Sequence, residues 1–360
     1  MSVDLKIPTL TRKERFLRAC RFEAVDHVPV WIMRQAGRYL PEYQAVRANH
    51  TFLQICKTPD VAAEVSLQPY RILGVDAIIV FSDILIVAEA MGLPLDVRDS
   101  GPVLSNPIRD AAAVRQLRSF DPNVETKFVG DAIRAICKEV GPDVPVIGFA
   151  AAPWTLACYM IEGRTRGDIS RATQMLREQP QVVRDLLDRI ARATAEYLKA
   201  QVAAGASIVQ LFDTWASELS PSEYHAFELP ATRMIFESLA GSPLVKILFA
   251  KGSAQHLESL AKSGADVLSV DWKTDLAEAR SKLGTKVALQ GNVDPTILLG
   301  TEADVRRAAT EAVEKTGGVG HILNLGHGIM PGTPVANAKA FVGAGHAAAV
   351  QARAQVGSTE

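Results

Sequence analysis

Arg34 and Arg38 stand four positions apart in the run Met33-Arg34-Gln35-Ala36-Gly37-Arg38-Tyr39-Leu40-Pro41-Glu42-Tyr43. Each guanidinium presents a planar fork of donors, so two at one turn are suited to gripping carboxylates. A solvated loop would also place arginines at a surface, but the aromatic and proline residues in the same turn argue that something is held there. Asp83, in Phe81-Ser82-Asp83-Ile84-Leu85, is a carboxylate wedged between apolar residues, expensive unless it meets donors or a cation. Its plainer role would be a helix N-cap. His327 is flanked by Gly326 and Gly328, which would let the backbone approach a ligand; a buried, satisfied histidine and a phosphate cradle stay open as alternatives. Tyr159 could be a core aromatic whose hydroxyl finds a partner. Lys251 offers a Schiff-base alternative, but it lies slightly past its strand and lacks an obvious partner to depress its pKa.

These residues need elements to bring them together. The arginine turn follows an apolar, β-branched run at 28–32, interrupted by Pro29, that reads as a buried strand. Further strands are expected at 76–81, 144–148, 207–212, 244–248, 265–270, 286–290 and 321–325, which makes eight. Helical patterns separate them: one from Pro59 closed by Gly74, one at 124–140 stopped by Gly141, and a long one to Ala204 broken near Pro180. Thr11-Arg12-Lys13-Glu14 opens a helix at 11–21 as a capping box. Alternating strands and helices in this number predict a (β/α)8 TIM barrel spanning 1–360 as one domain, with an N-terminal helical extension over about 1–26 and a small inserted hairpin at about 93–104. A doubly wound sheet would want a glycine-rich turn after a strand, and Gly317-Gly318-Val319-Gly320 precedes one. In a barrel the carboxyl ends of the strands carry the chemistry. They bring Arg34, Arg38, Asp83, Trp154, Tyr159, Asp213, Thr214, Trp215, Lys251, Asp271, Asn292, Asp294 and His327 to one rim.

Composition narrows the function. A net charge of -1 and a pI near 6.7 give no basic excess for nucleic acid or an anionic membrane. No apolar stretch reaches membrane-spanning length, and the first residues lack a secretory h-region, so a cytoplasmic protein is expected. The four cysteines are dispersed without a C-x-x-C pair, and the seven histidines form no metal-ligand spacing, so neither a disulfide framework nor a metal site is expected.

The arginine run, together with Phe81-Ser82-Asp83-Ile84-Leu85, Ala152-Pro153-Trp154-Thr155-Leu156 through Tyr159-Met160-Ile161-Glu162-Gly163, and Asn324-Leu325-Gly326-His327-Gly328, resembles the uroporphyrinogen decarboxylase family over nearly the whole chain and in the same order. The resemblance implies a cofactor-free, homodimeric (β/α)8 enzyme that converts the four acetates of uroporphyrinogen III to methyls, giving coproporphyrinogen III and four carbon dioxide molecules in tetrapyrrole biosynthesis. Carried over by motif, it implies substrate contacts from Arg34, Gln35, Ala36, Gly37, Arg38, Asp83, Tyr159, Thr214 and His327, with Asp83 and Arg34 in catalysis. Two departures from the family pattern stand out: Thr214 stands where serine is common, and Arg164 and Arg166 intervene after Glu162-Gly163 where relatives tend to run glycine-rich. Two rival functions are a related barrel that transfers methyl groups with zinc held by His and Cys, and a non-catalytic tetrapyrrole carrier. The lack of any cysteine after Cys158 speaks against the first, and Asp83 beside the arginines against the second.

Overall fold

The computed structural model describes residues 9–98, 101–164 and 167–350. Its strands are β1 (Ile78–Ile79), β2 (Leu95–Arg98), β3 (Gly101–Leu104), β4 (Val146–Ala151), β5 (Ile208–Asp213), β6 (Val245–Ala250), β7 (Val267–Val270), β8 (Ala288–Val293) and β9 (His321–Leu325). Seven of them form one parallel sheet in the order β1-β4-β5-β6-β7-β8-β9, each neighbour joined through a helical crossover. β4 is buried along its whole length, as expected of a parallel strand covered on both faces.

The expected first strand is present as a single bridge. Pro29 has no N–H to give a ladder, so the 28–32 run pairs only where the backbone allows. Val30 bridges Leu323 in parallel, the Leu323 N–H donates to Pro29 O at 2.9 Å, and the Asp76 N–H donates to Val30 O at 2.7 Å. This run therefore lies between β9 and β1 as the eighth stave and completes a TIM-barrel-like α/β fold. The second expected strand is likewise shortened to β1, and the third runs later than expected, from Val146.

The helices obey local signals. Lys127–Val140 buries Val129, Ala132, Ile133 and Ile136, one stripe at helical spacing, and Gly141 terminates it. Pro59–Leu73 ends on Gly74 in the left-handed region (φ 76°). The long helical region splits into Ser170–Glu178 and Pro180–Ala203, with Pro180 in the first turn of the second, where its missing N–H is harmless. One feature had no sequence signal: after the capping box at Ser220, the chain forms a π-helical segment, Tyr224–Glu228.

β2 and β3 pair antiparallel as the inserted hairpin; Asp99 and Ser100 at its tip lie outside the described residues. The hairpin is fastened to the helix Pro153–Glu162, with the Leu104 N–H donating to Gly163 O at 3.0 Å and the Ile108 N–H to Met160 O at 2.9 Å. Arg164 bridges Val103 there, while Arg166 lies outside the described residues.

Candidate active site

The arginine turn is made of left-handed backbone. Arg34 (φ 62°), Gly37 (φ 115°) and Arg38 (φ 41°) all have positive φ. Only glycine adopts this region freely, so two arginines in it are held by their surroundings, at a cost of order 1 kcal/mol each. The surroundings are explicit. Asn324 Oδ1 accepts the Met33 N–H at 2.8 Å, and Met33 O accepts the Ile329 N–H at 2.9 Å. Gln35 is fully buried; its amide accepts from Ile32 N–H at 3.1 Å and donates to Ala77 O at 3.0 Å. Gln35 thus staples the eighth stave to the approach of β1 and does not line the cleft, which corrects its expected place among substrate contacts. Its neighbours Arg34, Ala36, Gly37 and Arg38 do line it.

The cleft at the carboxyl ends of the strands encloses about 1040 Å³ of atom-free space, including its open mouth. That is the size of a pocket for a large small molecule. Asp83, Thr214 and His327 line it together with the arginine turn. Among the described residues, neither Arg34, Arg38 nor Asp83 has an ion-pair partner, so three charges of two signs face the same space. Arg34 is lowered by desolvation and by Arg38, while Tyr159 and Asp83 pull it the other way.

Asp83 combines both of its readings. Its Oδ1 accepts the Leu85 N–H at 2.7 Å, so it caps the following turn, and the same carboxylate faces the cleft. Desolvation pushes it up to about 6, against the Leu85 hydrogen bond and Arg34. His327 is driven down to about 4 by burial and by the charges of Arg34 and Lys251, so at neutral pH it is an uncharged imidazole. Its ring meets Phe249 and Trp272 edge-on, at centroid distances of 5.8 and 6.1 Å.

The glycines beside His327 have a different reason from the one the sequence suggested. A Cβ on Gly326 would lie 2.2 Å from the Trp272 backbone nitrogen, and one on Gly328 would lie 2.4 Å from Arg34 Cδ. They make room for protein, and one of the two makes room for the cleft-lining Arg34. Tyr159, on the helix Pro153–Glu162, is 7% exposed, edge-on to Trp215 at 6.4 Å and within electrostatic reach of Arg34 and Asp83.

Several rim candidates are structural. Asp271 accepts from Gly252 N–H at 2.9 Å and from the Thr274 hydroxyl at 2.8 Å; Asn292 donates to the carbonyls of Asp271 and Thr274; Asp294 caps Thr296. Asp213 is fully buried behind Thr214. Sequence reasoning missed the cleft floor, where Phe149 and Phe212 meet edge-on at 5.6 Å. In a strand buried on both faces, an aromatic facing a ligand and one facing the core carry the same signal.

The family model for "Uroporphyrinogen decarboxylase (URO-D)" matches residues 11–348. The chain belongs to the uroporphyrinogen decarboxylase family. It is 48% identical over 328 residues to the uroporphyrinogen decarboxylase of Geobacter metallireducens, covering 90% of this chain and 95% of that one. Its identity to the uroporphyrinogen decarboxylase of Alkalilimnicola ehrlichii is 44% over 345 residues, 94% of each chain. Among solved structures, a methyltransferase from Methanosarcina mazei superposes with a TM-score of 0.77 at 25% identity, over 93% of this chain and 98% of that one. The cleft is therefore a site on a uroporphyrinogen decarboxylase fold, and the chain is an enzyme of that decarboxylating family.

Proposed function

We propose that this decarboxylase removes the carboxyl groups from the four acetate side chains of uroporphyrinogen III in the cleft around Asp83, giving coproporphyrinogen III and four molecules of carbon dioxide. The observation that carries the reading is one half-buried carboxylate set among two arginines that have no ion-pair partner among the described residues, over an aromatic floor. An acetate on a pyrrole loses carbon dioxide only if the bonding pair has somewhere to go. Protonation of the ring carbon beside nitrogen makes a cation conjugated to that acetate. The C–C bond to the carboxylate then breaks, its electrons enter the ring, and carbon dioxide leaves. A proton adds to the exposed methylene and the ring carbon gives its proton back, so one proton is consumed per acetate.

Arg34 and Arg38 hold carboxylates of the substrate as forks at the mouth. Asp83 accepts from converging pyrrole N–H groups and faces the ring cation as it forms, so its charge is most valuable in the transition state. Neutral His327, Thr214 and Tyr159 supply polar contacts to the remaining side chains, while Ala36 and Gly37 let the ring approach the turn. Gln35 acts from behind, through the turn it staples. Anaerobic turnover of uroporphyrinogen followed by product chromatography tests the reading; an unchanged octacarboxylate would overturn it.

The family likeness also supports a homodimer in the cytoplasm. No helix of the described residues is long and apolar enough to cross a membrane, and exposed Leu299 and Met330 add apolar surface to the loops after β8 and β9. Sedimentation at micromolar concentration checks the dimer. Methyl transfer is the alternative raised by the Methanosarcina mazei methyltransferase structure, and zinc held by His and Cys is the chemistry it would call for. Among the described residues, the trio able to share an ion is His27, Asp76 and His346, at the amino ends of the strands and away from the cleft. Turnover that falls in EDTA and returns with zinc would favour that alternative.

A further inference from the structure

Behind the wall that carries Tyr159 and Thr214 lies a pair of acids that the cleft does not use. Asp213, the last residue of β5, and Glu228, the last of the π-helical segment, are both fully buried. Both grip the start of the helix Pro153–Glu162. Glu228 Oε2 accepts the Trp154 N–H at 2.7 Å, in the first turn of the helix Pro153–Glu162, while its Oε1 meets the Thr232 hydroxyl at 2.5 Å. The Thr155 hydroxyl donates to Asp213 Oδ1 at 2.6 Å and accepts the Trp215 N–H at 3.1 Å. The Trp154 indole N–H then donates to Trp215 O at 3.2 Å.

The result is a closed bracket between the start of that helix and the Thr214–Trp215 turn. The helix carries Tyr159, which meets Trp215 edge-on, and the turn carries Thr214 into the cleft. The π-helical turn brings Glu228 inward; such turns are less stable than α-helix and recur where they place a side chain for function. Asp213 Oδ2 and the Tyr224 hydroxyl are buried without a partner, so the bracket is not a saturated structural knot.

Its electrostatics are one-sided. Burial pushes Asp213 up to about 7 against the Thr155 hydrogen bond, and burial together with the Asp213 charge pushes Glu228 well up. Cys158 and Glu162 on the wall helix, Glu218 beyond Trp215, and Tyr224 on the π-helical segment face the same charges. His256 stacks on Tyr224 at 4.5 Å and is lowered by burial, so it stays neutral. None of these groups brings a cation, and two ionised carboxylates at this depth repel strongly.

We propose that Asp213 and Glu228 are positioning residues for the decarboxylation: Asp213 ties the wall helix to the Thr214–Trp215 turn through Thr155, Glu228 ties the same helix to the π-helical segment, and together they fix Tyr159 and Thr214 against Asp83. Ionisation of both acids, with no cation beside them, loosens the clamp. The inference rests on the cleft being the decarboxylation site.

The test uses the full chain and its Thr155→Val, Thr155→Ser and Glu228→Gln variants, with kcat and KM from pH 6 to 9.5, thermal melts, and indole emission against pH without substrate. Thr155→Val should lower kcat at least about tenfold with KM within about twofold, and Thr155→Ser should restore it. In the parent, the emission of Trp154 and Trp215 should shift over the alkaline range where kcat falls. In Glu228→Gln, which carries at most one charge at the bracket, both transitions should move up by about one pH unit or vanish. Parental kcat in Thr155→Val, or alkaline transitions unmoved in Glu228→Gln, would overturn the proposal. If Thr155→Val does not fold, the Glu228→Gln transitions decide. If no variant turns over uroporphyrinogen but the emission transition moves as stated, the bracket stands and the reading of the cleft fails.

Discussion

Asp83 holds a charge where the fold would prefer none. Its carboxyl is raised to about 6, so the native state binds that proton more tightly than the unfolded chain does. The sign follows: this contribution to stability is fully present below the ordinary carboxylate range and is lost as pH rises through about 6. Asp83→Asn is therefore expected to melt higher than the parent at pH 7.5, by roughly 1–3 kcal/mol, and to lose that advantage at pH 4. Turnover of the same variant should fall by about 10² or more with substrate affinity within a few fold, and the acid limb near pH 6 should disappear from its kcat profile. A variant with parental turnover would remove Asp83 from the reaction. For the arginines, Arg38→Lys keeps the charge but loses the fork, and affinity should weaken about tenfold in a direct binding titration. The residue types of this site were legible in the sequence, because Arg34, Arg38, Asp83, Thr214 and His327 all reach one cleft. Gln35 was not, since an amide that bonds backbone looks the same in a sequence as one that bonds a ligand.

Elements decide how finely those residues are placed. The Gly326-His327-Gly328 turn after β9 is the sharpest case, because its two glycines face different obstacles. A Cβ at position 326 meets backbone, and a Cβ at 328 meets the flexible stem of Arg34. Gly326→Ala should thus destabilise the protein by several kcal/mol or prevent folding, whereas Gly328→Ala should keep a near-parental melt and raise KM as Arg34 is displaced. Equal melts for the two variants would contradict this. Strand and helix order was legible from apolar runs punctuated by glycine and proline, and the hairpin from its turn chemistry. What periodicity could not give was pairing. Pro29 leaves the first stave a single bridge, and nothing in Tyr224–Glu228 distinguishes a π-helical turn from an α-helical one, since the difference is one residue of slack taken up by packing.

At the scale of the molecule, a charged belt closes the amino end of the barrel. Arg15 donates to Asp26 at 2.6 Å and to Asp76 at 2.9 Å; Asp76 also accepts the Val30 N–H at 2.8 Å and contacts His346 Nε2 at 2.8 Å. Asp76 is lowered despite its burial, and Asp26 falls to about 2 against its own desolvation, through Arg15 and the Leu10 N–H. A lowered carboxyl stabilises above the ordinary carboxylate range and loses that contribution as pH falls through its folded value. Acid unfolding should therefore steepen below about pH 4 and continue toward pH 2. Asp76→Asn, which removes one of the two carboxylates paired with buried Arg15 and leaves Asp26 on it, should cost about 1.5–3 kcal/mol by denaturant titration at pH 7. Parental stability in that variant would show the belt to be ornamental. The belt was invisible in the sequence, because its members come from positions 15, 26, 76 and 346 and no local pattern links them.

The same belt and the Val30–Leu323 bridge impose an order on synthesis. The ring is closed by its first stave meeting its last strand, and the helix Val335–Ala347 must then deliver His346 to Asp76. A ribosome makes the first stave long before its partner exists. Until about residue 347 has emerged, the nascent chain carries an open parallel sheet with two unpaired edges, the kind of surface that aggregates or recruits a chaperone. Most of the barrel can collapse while attached, yet the arginine turn, held by Asn324 and Ile329, cannot take its shape until the end. The cleft at the carboxyl ends of the strands is thus completed only late in synthesis, although its first residues are among the earliest translated.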